Sequence, residues 1–470
     1  MINLETNPKI YFIGIGGIAM SATAGISKQL GYEIIGSDSK ELYDPAKSVL
    51  TSLGINYSVG YDAKHVTDLG DCIFIASAGE DLSNPEIKYL HDNQIPIHSL
   101  SELLYELSKD KIRIVVAGTH GKSTTTAILG KTLQEIDNSS FMTGAVLLEE
   151  NQNFHLGDGH YFTFEGDEYK ALFDDPTPKF QQYKADIAIL TNLEFDHPDV
   201  FSSIDEVKDE FREMLDLMPS DGVIVYNADS VELVRLAHES NLGQVSYALD
   251  NKADFVATNI VTNIDGTTFD VLKTDLTTKE ESTEHYTINA FGRINVYNAL
   301  ATIATLRTLG FSAEQVAEGL LEFKGLKRRF EYIGEKNGIS VFDDYAHHPT
   351  AISETLNLAK LRFPDKKIWA VFEPHTFSRT QAVLDELAKC FEAADEVLLA
   401  EIYPAREKAS AGTITGQQVV SEIAKHHNNV RLVADKSEAK SIIQTEGKPG
   451  DVVVIMAVGN FNTLAKELCS

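Results

Sequence analysis

Short runs of apolar and β-branched residues alternate with amphipathic stretches along most of the chain. The runs Lys9–Ile15, Ile112–Val116 and Ile368–Phe372 are examples, and each is followed by a turn and then by helical spacing. Such strand–turn–helix repeats are typical of a mostly parallel sheet covered by helices. The threonine-rich segment Asp254–Ile288 alternates strictly instead, which predicts an antiparallel hairpin around Asp265–Gly266. The pattern as a whole predicts an α/β protein.

Breaks in this pattern divide the 470 residues into three predicted domains, in keeping with about 100–200 residues per domain. Residues 1–108 form a Rossmann-like domain, and the polar helix Ser101–Lys111 at its end is interpreted as a linker. Residues 109–325 form a central domain. The basic segment Lys324–Phe330 leads into residues 326–470, a third domain that is again Rossmann-like.

A strand, a glycine turn and a helix start follow one another at the head of the central domain. The turn and helix start comprise Gly118, Thr119, His120, Gly121, Lys122, Ser123 and Thr124. This arrangement directs backbone N–H groups and a positive helix end at a phosphate. Val116 stands where G-x-x-x-x-G-K-[ST] has its first glycine, so the loop is the shorter G-[TS]-x-G-K form. We predict an ATP site and a P-loop ATPase-like domain with a mostly parallel sheet.

Two ionisable residues follow later strands of the central domain. Glu165 ends the run Tyr161–Glu165, and His197 comes shortly after Ile187–Asn192. Open parallel sheets bind ligands beyond the carboxyl ends of their strands. With the Ser123 hydroxyl, these side chains would suit Mg²⁺. The alternative is that they only cap or hydrogen-bond, but a phosphate loop upstream favours the metal.

A second glycine-rich turn lies near the N-terminus. The stretch contains Gly14, Gly16, Gly17 and Ile18, with Asp38 about twenty residues further on, which is the dinucleotide-binding layout. It predicts a ligand with a diphosphate and a ribose, although Asp38 would also suit a helix cap or a turn. A later strand of this domain, Asp71–Ala76, is followed by a turn that contains Ser77 and Ala78.

Composition restricts the partners. The formal charge of −29 argues against nucleic acid, because phosphate backbones require a basic face. No apolar run approaches the roughly 20 residues that span a bilayer. The 3 cysteines lack paired spacing, so we expect a reducing, cytoplasmic setting without membrane insertion. The oligomeric state, monomer or homodimer, stays open.

The residues alone leave functions of different classes. One is an ATP-dependent enzyme with a second nucleotide-like ligand, another is a nicotinamide-dependent dehydrogenase, and a third is a regulatory NTPase. The dehydrogenase leaves Lys122, Glu165 and the possible phosphate clamp Arg329 without a role. The NTPase does not explain the polar clusters that end strands of the third domain. The first hypothesis is therefore favoured.

Several segments together resemble the Mur ligases of peptidoglycan synthesis, over essentially the whole chain. They are Gly118–Thr126, Glu165, Asn192 with Asp196 and His197, Asn295 with Asn298, Arg328–Phe330, and the DDYAHHPT stretch that begins at Asp343. The resemblance implies ATP-dependent formation of an amide bond through an acyl phosphate.

Two features favour the branch of this family that adds L-alanine to UDP-N-acetylmuramate. They are GIGGIAMS, which begins at Gly14, and EPHTFSRT (373–380) followed by EIYPAREK (401–408). The alternative is the murein tripeptide ligase, which EGDEYKALFDD (165–175) suits about as well. Folylpolyglutamate synthetase shares the short P-loop but lacks such an N-terminal domain.

The resemblance also implies a role for each candidate residue. Lys122, Glu165 and His197 are implied to be catalytic, with Ser123, Glu165 and His197 as Mg²⁺ ligands. ATP is implied to bind at residues 118–124 with Asn298, Arg329 and Asp344. The UDP-sugar is implied to bind at Gly14, Gly16, Gly17, Ile18, Asp38, Ser77 and Ala78. L-alanine is implied to bind at Tyr345, His348, His375 and Arg379, since arginine takes carboxylates bidentately.

The chain departs from the family pattern at three positions. Ala22 and Gly25 replace an expected glycine and glutamate, and Ile294 replaces a histidine. The first two lie near the predicted UDP site and the third lies near the predicted adenine site. None of them touches the phosphoryl-transfer residues.

Overall fold

The computed structural model of the protein describes residues 2–4, 9–194, 201, 203–263, 266–274, 278, 280–405, 407–409 and 412–470. The chain divides into two compact units. The first comprises residues 1–194, 204–261 and 267–324, and the second comprises residues 195–203, 262–266 and 325–470. The predicted α/β class with mostly parallel sheets is confirmed, because the described strands form three such sheets.

The first sheet lies in the first unit and is parallel throughout. Its strands are β1 (Lys9–Ile13), β2 (Glu33–Asp38), β3 (Asn56–Val59), β4 (Cys72–Ala76) and β5 (Ile97–Ser99). Its helices are α1 (Ile18–Gln29), α2 (Ala46–Ser52), α3 (Lys64–Thr67), α4 (Pro85–Asp92) and α5 (Leu100–Leu107). The strand order is β3-β2-β1-β4-β5. It reverses between β1 and β4, where doubly wound sheets bind ligands beyond their carboxyl ends.

Helix α5 corrects one expectation, because it is packed rather than a polar linker. It begins with a capping box in which Ser99 and Glu102 bond each other's backbone N–H. Leu103 and Leu104 are fully buried. The expectation differed because the many polar residues of this segment drew attention away from a short apolar stripe on one face of the helix.

The second sheet has ten described strands and also lies mainly in the first unit. They are β6 (Ile112–Ala117), β7 (Ser140–Met142), β8 (Phe154–His155), β9 (Tyr161–Glu165), β10 (Ile187–Leu190), β11 (Val223–Asn227), β12 (Gly243–Ala248), β13 (Phe255–Asn263), β14 (Gly266–Thr274) and β15 (Glu281–Ile288). The helices are α6 (Lys122–Asp137), α7 (Lys179–Gln182), α8 (Ile204–Asp216), α9 (Val231–Glu239), α10 (Arg293–Thr308) and α11 (Ala313–Leu320).

Strand β6 lies at the centre of this sheet, between β10 and β9. Ile114, Val115 and Val116 are completely buried, as the apolar run predicts. Strands β14 and β15 pair antiparallel. Asp265, at the predicted hairpin turn, lies outside the described residues, whereas Gly266 opens β14.

The first two sheets contact each other through helix α1. A Cβ placed on Gly25 would lie 2.7 Å from Cζ of Phe154, which is in β8. The Thr23 hydroxyl donates to the Met142 sulfur at 3.5 Å. The unexpected glycine at position 25 is therefore explained by a close approach of α1 to the second sheet.

The third sheet lies in the second unit, and only its edge strand β16 runs antiparallel among the described strands. Its strands are β16 (Glu331–Lys336), β17 (Ile339–Asp344), β18 (Ile368–Glu373), β19 (Glu396–Ala400), β20 (Val430–Val433) and β21 (Val452–Ala457), in the order β16-β17-β21-β18-β19-β20. Its helices are α12 (Pro349–Arg362), α13 (Phe377–Ala382), α14 (Leu384–Leu387), α15 (Gly416–Ile423), α16 (Lys436–Glu446) and α17 (Thr463–Cys469). Buried apolar clusters cover both faces.

The carboxyl ends of β17 and β18, the two strands that flank β21 in this sheet, carry acidic residues. Asp343 and Asp344 end β17, and Glu373 ends β18.

No helix among the described residues is long and apolar enough to cross a bilayer.

Candidate nucleotide-binding site

The turn between β6 and α6 requires glycine at both of its ends. Gly118 has a φ of +137° and Gly121 a φ of +83°, a region that residues with a Cβ rarely adopt. There is also no room for a side chain at either glycine. A Cβ on Gly118 would lie 2.1 Å from the Thr191 hydroxyl oxygen, and a Cβ on Gly121 would lie 2.5 Å from Oδ1 of Asn298. Sterics therefore fix the path of this loop from both sides.

Asn192 holds the middle of the loop from the end of the neighbouring strand. Its Oδ1 accepts the His120 N–H at 2.7 Å, and its carbonyl accepts the Thr119 N–H at 3.2 Å. Its amide also donates to the His120 carbonyl at 3.1 Å. Asn192 belonged to the family resemblance but had no assigned role, and the structure makes it the clamp of the loop. Its only signal in the sequence is its place just beyond a buried strand.

Lys122 is the first residue of α6, and its ammonium points back along the loop. Nζ donates to the Gly118 carbonyl at 2.6 Å and lies 3.0 Å from Oε2 of Glu168. Burial lowers the pKa of Lys122, but the carboxylates of Glu168 and Glu165 outweigh burial and hold the pKa above its ordinary value. The lysine is therefore a fixed positive charge at the foot of the loop. Ser123 and Thr124 follow it in the first turn.

The Glu165 carboxylate is held by three groups from two different segments. Oε1 accepts the Ser123 hydroxyl at 2.9 Å, while Oε2 accepts the Gly144 N–H at 2.6 Å and contacts the Thr143 hydroxyl at 3.2 Å. A Cβ on Gly144 would lie 2.8 Å from both carboxylate oxygens. The turn after β7, which the sequence did not single out, therefore determines the orientation of Glu165.

The donor set fits a hard divalent cation. The Ser123 hydroxyl oxygen and a Glu165 carboxylate oxygen lie side by side, and oxygen ligands of this kind are those that Mg²⁺ prefers. His197, the third predicted ligand, lies outside the described residues.

Asn298 lies at the helix side of the loop. Its Oδ1 accepts the Thr125 hydroxyl at 3.1 Å, and its amide donates to Asn295 Oδ1 at 3.1 Å. The side chain is buried and so fastens α10 to α6. Asn295 and Asn298, two of the three asparagines of the resemblance, thus form one hydrogen-bonded pair.

In the first sheet, the second glycine turn is tied to the ends of β2 and β4. Asp38 Oδ2 accepts the Gly16 N–H at 2.9 Å, and the Ser37 carbonyl accepts the Gly14 N–H at 2.9 Å. Ser77, with Ala78 beside it, donates its N–H to the Ile13 carbonyl at 2.9 Å. Asp38 therefore anchors the turn, while Gly17 and Ile18 lead into α1.

In the second unit, Asp344 orders the basic segment before β16. Its Oδ2 accepts the Phe330 N–H at 2.6 Å, and its Oδ1 accepts the Ala346 N–H at 2.7 Å. Phe330 has a φ of +51°, so this contact stabilises a strained residue. The guanidinium of Arg329 lies 5.5 Å from the centre of the Tyr345 ring. Burial raises the pKa of Asp344, and the charge of Arg329 opposes that rise.

The residues predicted to bind L-alanine gather at the ends of β17 and β18. The His347 ring lies 5.2 Å from Tyr345 and 6.3 Å from His375. Arg379 is buried in α13. His348 occupies the N-cap position of α12 but makes no side-chain capping bond.

The fold and this loop define a three-sheet α/β protein with a phosphate-binding type of strand–turn–helix unit. Three sequence profiles match it in order. They are the Mur ligase family catalytic domain at residues 9–112, the Mur ligase middle domain at 116–306, and the Mur ligase glutamate ligase domain at 328–459. The chain belongs to the Mur ligase family.

Individual relatives match over almost their whole length. The UDP-N-acetylmuramate–L-alanine ligase of Clostridium acetobutylicum is 34% identical over 99% of this chain and 98% of the relative. The crystal structure of a UDP-N-acetylmuramate–alanine ligase from Thermotoga maritima shares 25% identity over 98% of both chains, with a TM-score of 0.78. A murein peptide ligase from Psychrobacter arcticus shares 30% identity over 98% of both chains, with a TM-score of 0.72.

Proposed function

We propose that this Mur ligase joins L-alanine to the lactyl carboxylate of UDP-N-acetylmuramate while ATP is split to ADP and phosphate. The observation that carries the proposal is the similarity to alanine-adding ligases over almost the entire chain. Membership of a ligase family also removes the nicotinamide-dependent dehydrogenase from consideration.

The chemistry requires activation of a poor electrophile. Transfer of the γ-phosphoryl group to the carboxylate gives an acyl phosphate, whose phosphate is a good leaving group. The alanine amine attacks the acyl carbon, and the tetrahedral intermediate collapses to an amide. In such transfers the protein mainly positions the reactants and neutralises charge. A rigid loop that presents backbone N–H groups is suited to that task.

Lys122 has the central electrostatic role in this proposal. A carboxylate and a γ-phosphate repel each other, and a buried ammonium beside the loop reduces that repulsion. The contact with Glu168 keeps the ammonium charged and restricts its position. The remaining loop residues, from Gly118 to Thr124, are assigned to the phosphates.

Ser123 and Glu165 would hold Mg²⁺, and His197 would complete the set according to the family resemblance. When bound, the cation neutralises charge on the phosphate oxygens. The contribution of this chain is to hold Glu165 in one orientation, through Gly144 and Thr143.

The other predicted residues are assigned by the same proposal. Asn298 is assigned to the adenine, and Arg329 with Asp344 is assigned to the rest of ATP. Residues 1–108 would form the UDP-sugar domain, 109–325 the ATP domain and 326–470 the amino-acid domain. Gly14, Gly16, Gly17, Ile18, Asp38, Ser77 and Ala78 would contact the UDP-sugar, and Tyr345, His348, His375 and Arg379 would contact L-alanine.

A second candidate is attachment of a recycled tripeptide to the same sugar nucleotide. The similarity to the murein peptide ligase of Psychrobacter arcticus favours it. The activation step is the same in both cases, so only the amine substrate distinguishes them.

A product assay tests the proposal. The purified protein is incubated with UDP-N-acetylmuramate, ATP and Mg²⁺, and either free L-alanine or L-alanyl-γ-D-glutamyl-diaminopimelate is added. ADP release and product mass are measured. We expect turnover with L-alanine in preference to the tripeptide. Preference for the tripeptide, or no amide product with either amine, would overturn the assignment.

A further inference from the structure

The stretches 373–380 and 401–408, which distinguished this chain within its family, contact each other in the second unit. Thr376 donates its backbone N–H to the Tyr403 carbonyl at 2.8 Å, and Tyr403 donates its own to the Pro374 carbonyl at 2.8 Å. The rings of His375 and Tyr403 stack with centroids 5.9 Å apart and an angle of 27° between their planes. The loop after β19 is therefore joined to the loop that carries the predicted amine-binding residues.

A carboxylate that has no assigned role also joins the two stretches. Glu407 Oε2 accepts the backbone N–H of Phe377 at 2.6 Å and that of Ser378 at 3.1 Å, and Oε1 accepts the Ser378 hydroxyl. Partial burial raises the pKa of Glu407, but these hydrogen bonds outweigh it and the pKa is below its ordinary value. The carboxylate therefore stays ionised at neutral pH and binds the first turn of α13.

The turn that Glu407 binds needs an external restraint. Thr376, which precedes it, has a φ of +57°, which is unfavourable for a β-branched residue. Helix α13 has only 6 residues, so its own hydrogen bonds do little to fix its direction. Arg379 lies in this short helix, and its backbone N–H donates to the Thr376 hydroxyl oxygen at 3.4 Å. The orientation of Arg379 therefore depends on what anchors the turn.

We propose that Glu407 is a positioning residue for the amine substrate, because it fixes the turn that carries His375 and Arg379. The inference rests on the proposed function, in which Arg379 takes the carboxylate of the amino acid. It adds a residue from a separate loop that acts without touching the substrate. The predicted ATP site is not involved.

Steady-state kinetics of full-length Glu407→Gln test this inference. We expect the KM for L-alanine to rise about fivefold, which is about 1 kcal/mol, the size of a lost helix-cap contact. The KM for ATP and kcat should stay within about twofold, because phosphoryl transfer is untouched. Glu407→Asp should recover part of the loss. An unchanged KM for L-alanine, or an equal rise for ATP, would overturn the inference.

Glu401→Gln is the matched control. This carboxylate belongs to the same stretch, but it accepts the N–H of Gly416 at 3.3 Å, at the start of α15. It should leave the KM for L-alanine unchanged, whereas a rise equal to that of Glu407→Gln would show a general loop effect and overturn the inference. If Glu407→Gln does not fold, Ser378→Ala is tested in its place. We expect it to raise the KM for L-alanine about twofold. An unchanged KM for L-alanine in Ser378→Ala would overturn the inference.

The failures of this inference and of the proposed function are distinguishable. A wild-type protein that does not use L-alanine contradicts the proposed function, and the inference falls with it. If Arg379→Ala raises the KM for L-alanine but Glu407→Gln does not, the function stands and only the role of Glu407 is wrong.

Discussion

The Lys122 ammonium and the Glu168 carboxylate form an ion pair with 3.0 Å between Nζ and Oε2, and their side chains are only 13% and 10% exposed. Lys122, which is predicted to bind the ATP phosphates, is thus also one partner of a buried ion pair. Removing one partner of such a pair leaves an uncompensated charge, which is more costly than removing both. The structural role of Lys122 can therefore be separated from its predicted catalytic role.

Lys122→Ala should abolish ADP formation and lower thermal stability, because Glu168 loses its counter-charge. The loss is expected to be about 3–5 kcal/mol. The double variant Lys122→Ala/Glu168→Gln should recover most of the melting temperature but none of the turnover. Calorimetry and an ADP assay check both parts. Turnover near that of the wild type in either variant would show that the ATP site is misplaced.

Gly144→Ala should weaken cation binding, since its Cβ would lie 2.8 Å from both oxygens of Glu165. We expect the affinity for Mn²⁺, measured by electron paramagnetic resonance in the presence of ADP, to fall about tenfold or more. Thr143→Val is the comparison, because it removes one hydroxyl contact and leaves the backbone N–H in place. Its loss should be smaller. Unchanged Mn²⁺ affinity in Gly144→Ala would contradict the metal assignment of Glu165.

Asp38→Ala should weaken UDP-N-acetylmuramate by about tenfold or more, which is the loss of a charge-assisted hydrogen bond of roughly 1.5–3 kcal/mol. The carboxylate ends β2 and anchors Gly16 in the turn after β1. Isothermal titration should show unchanged affinity for ATP. Asp92→Ala, at an exposed pair with Lys88, should alter neither ligand. Equal weakening of ATP and sugar nucleotide would argue for a general structural effect.

Arg379→Ala should raise the KM for L-alanine at least about tenfold, at 1.4 kcal/mol per decade, with little change for ATP. The buried guanidinium would otherwise hold the carboxylate of the amino acid. Arg431→Ala offers a control, because this arginine pairs with Glu446 at the surface. Saturation by L-alanine that does not differ from the wild type would remove Arg379 from the amine site.

Asp343→Asn should stabilise the protein at pH 8 and change it little at pH 4. Burial raises the pKa of Asp343 to about 7, although Arg328 lowers it. The unfolded chain releases this proton near pH 3.9, so stability falls as the pH rises from about 4 to 7 and stays reduced above that. The gain at pH 8 has an upper bound of about 4 kcal/mol. Melting temperatures across this range check it, and a difference independent of pH would contradict it.

The central strand and its loop were predictable because their signal is contiguous. Eleven or so neighbouring residues from Ile112 onward carry the apolar run, the glycines and the lysine, and the structure places them as a strand, a turn and a helix. The edge strands β3 and β16 were missed, since few of their side chains are buried and no apolar run marks them.

The supports of the candidate sites were not predictable in the same way. Asn192 is 72 positions away from His120, which it clamps, and Glu407 is 30 positions from Phe377. A single sequence does not show which distant polar residue reaches which backbone group. Gly144 carries no pattern at all, because its importance is the absence of a side chain beside Glu165.

The close approach of Gly25 to Phe154 has a consequence for the evolution of these two positions and for protein engineering. A relative with glutamate at position 25 needs a smaller residue opposite it, so substitutions at these two sites must arrive together or in a permitted order. An exchange of residues 1–108 with such a relative would fail at this point, however well the ligand residues matched. If the relative's residue at position 154 is transferred together with the transplanted segment, folding of the hybrid should be restored.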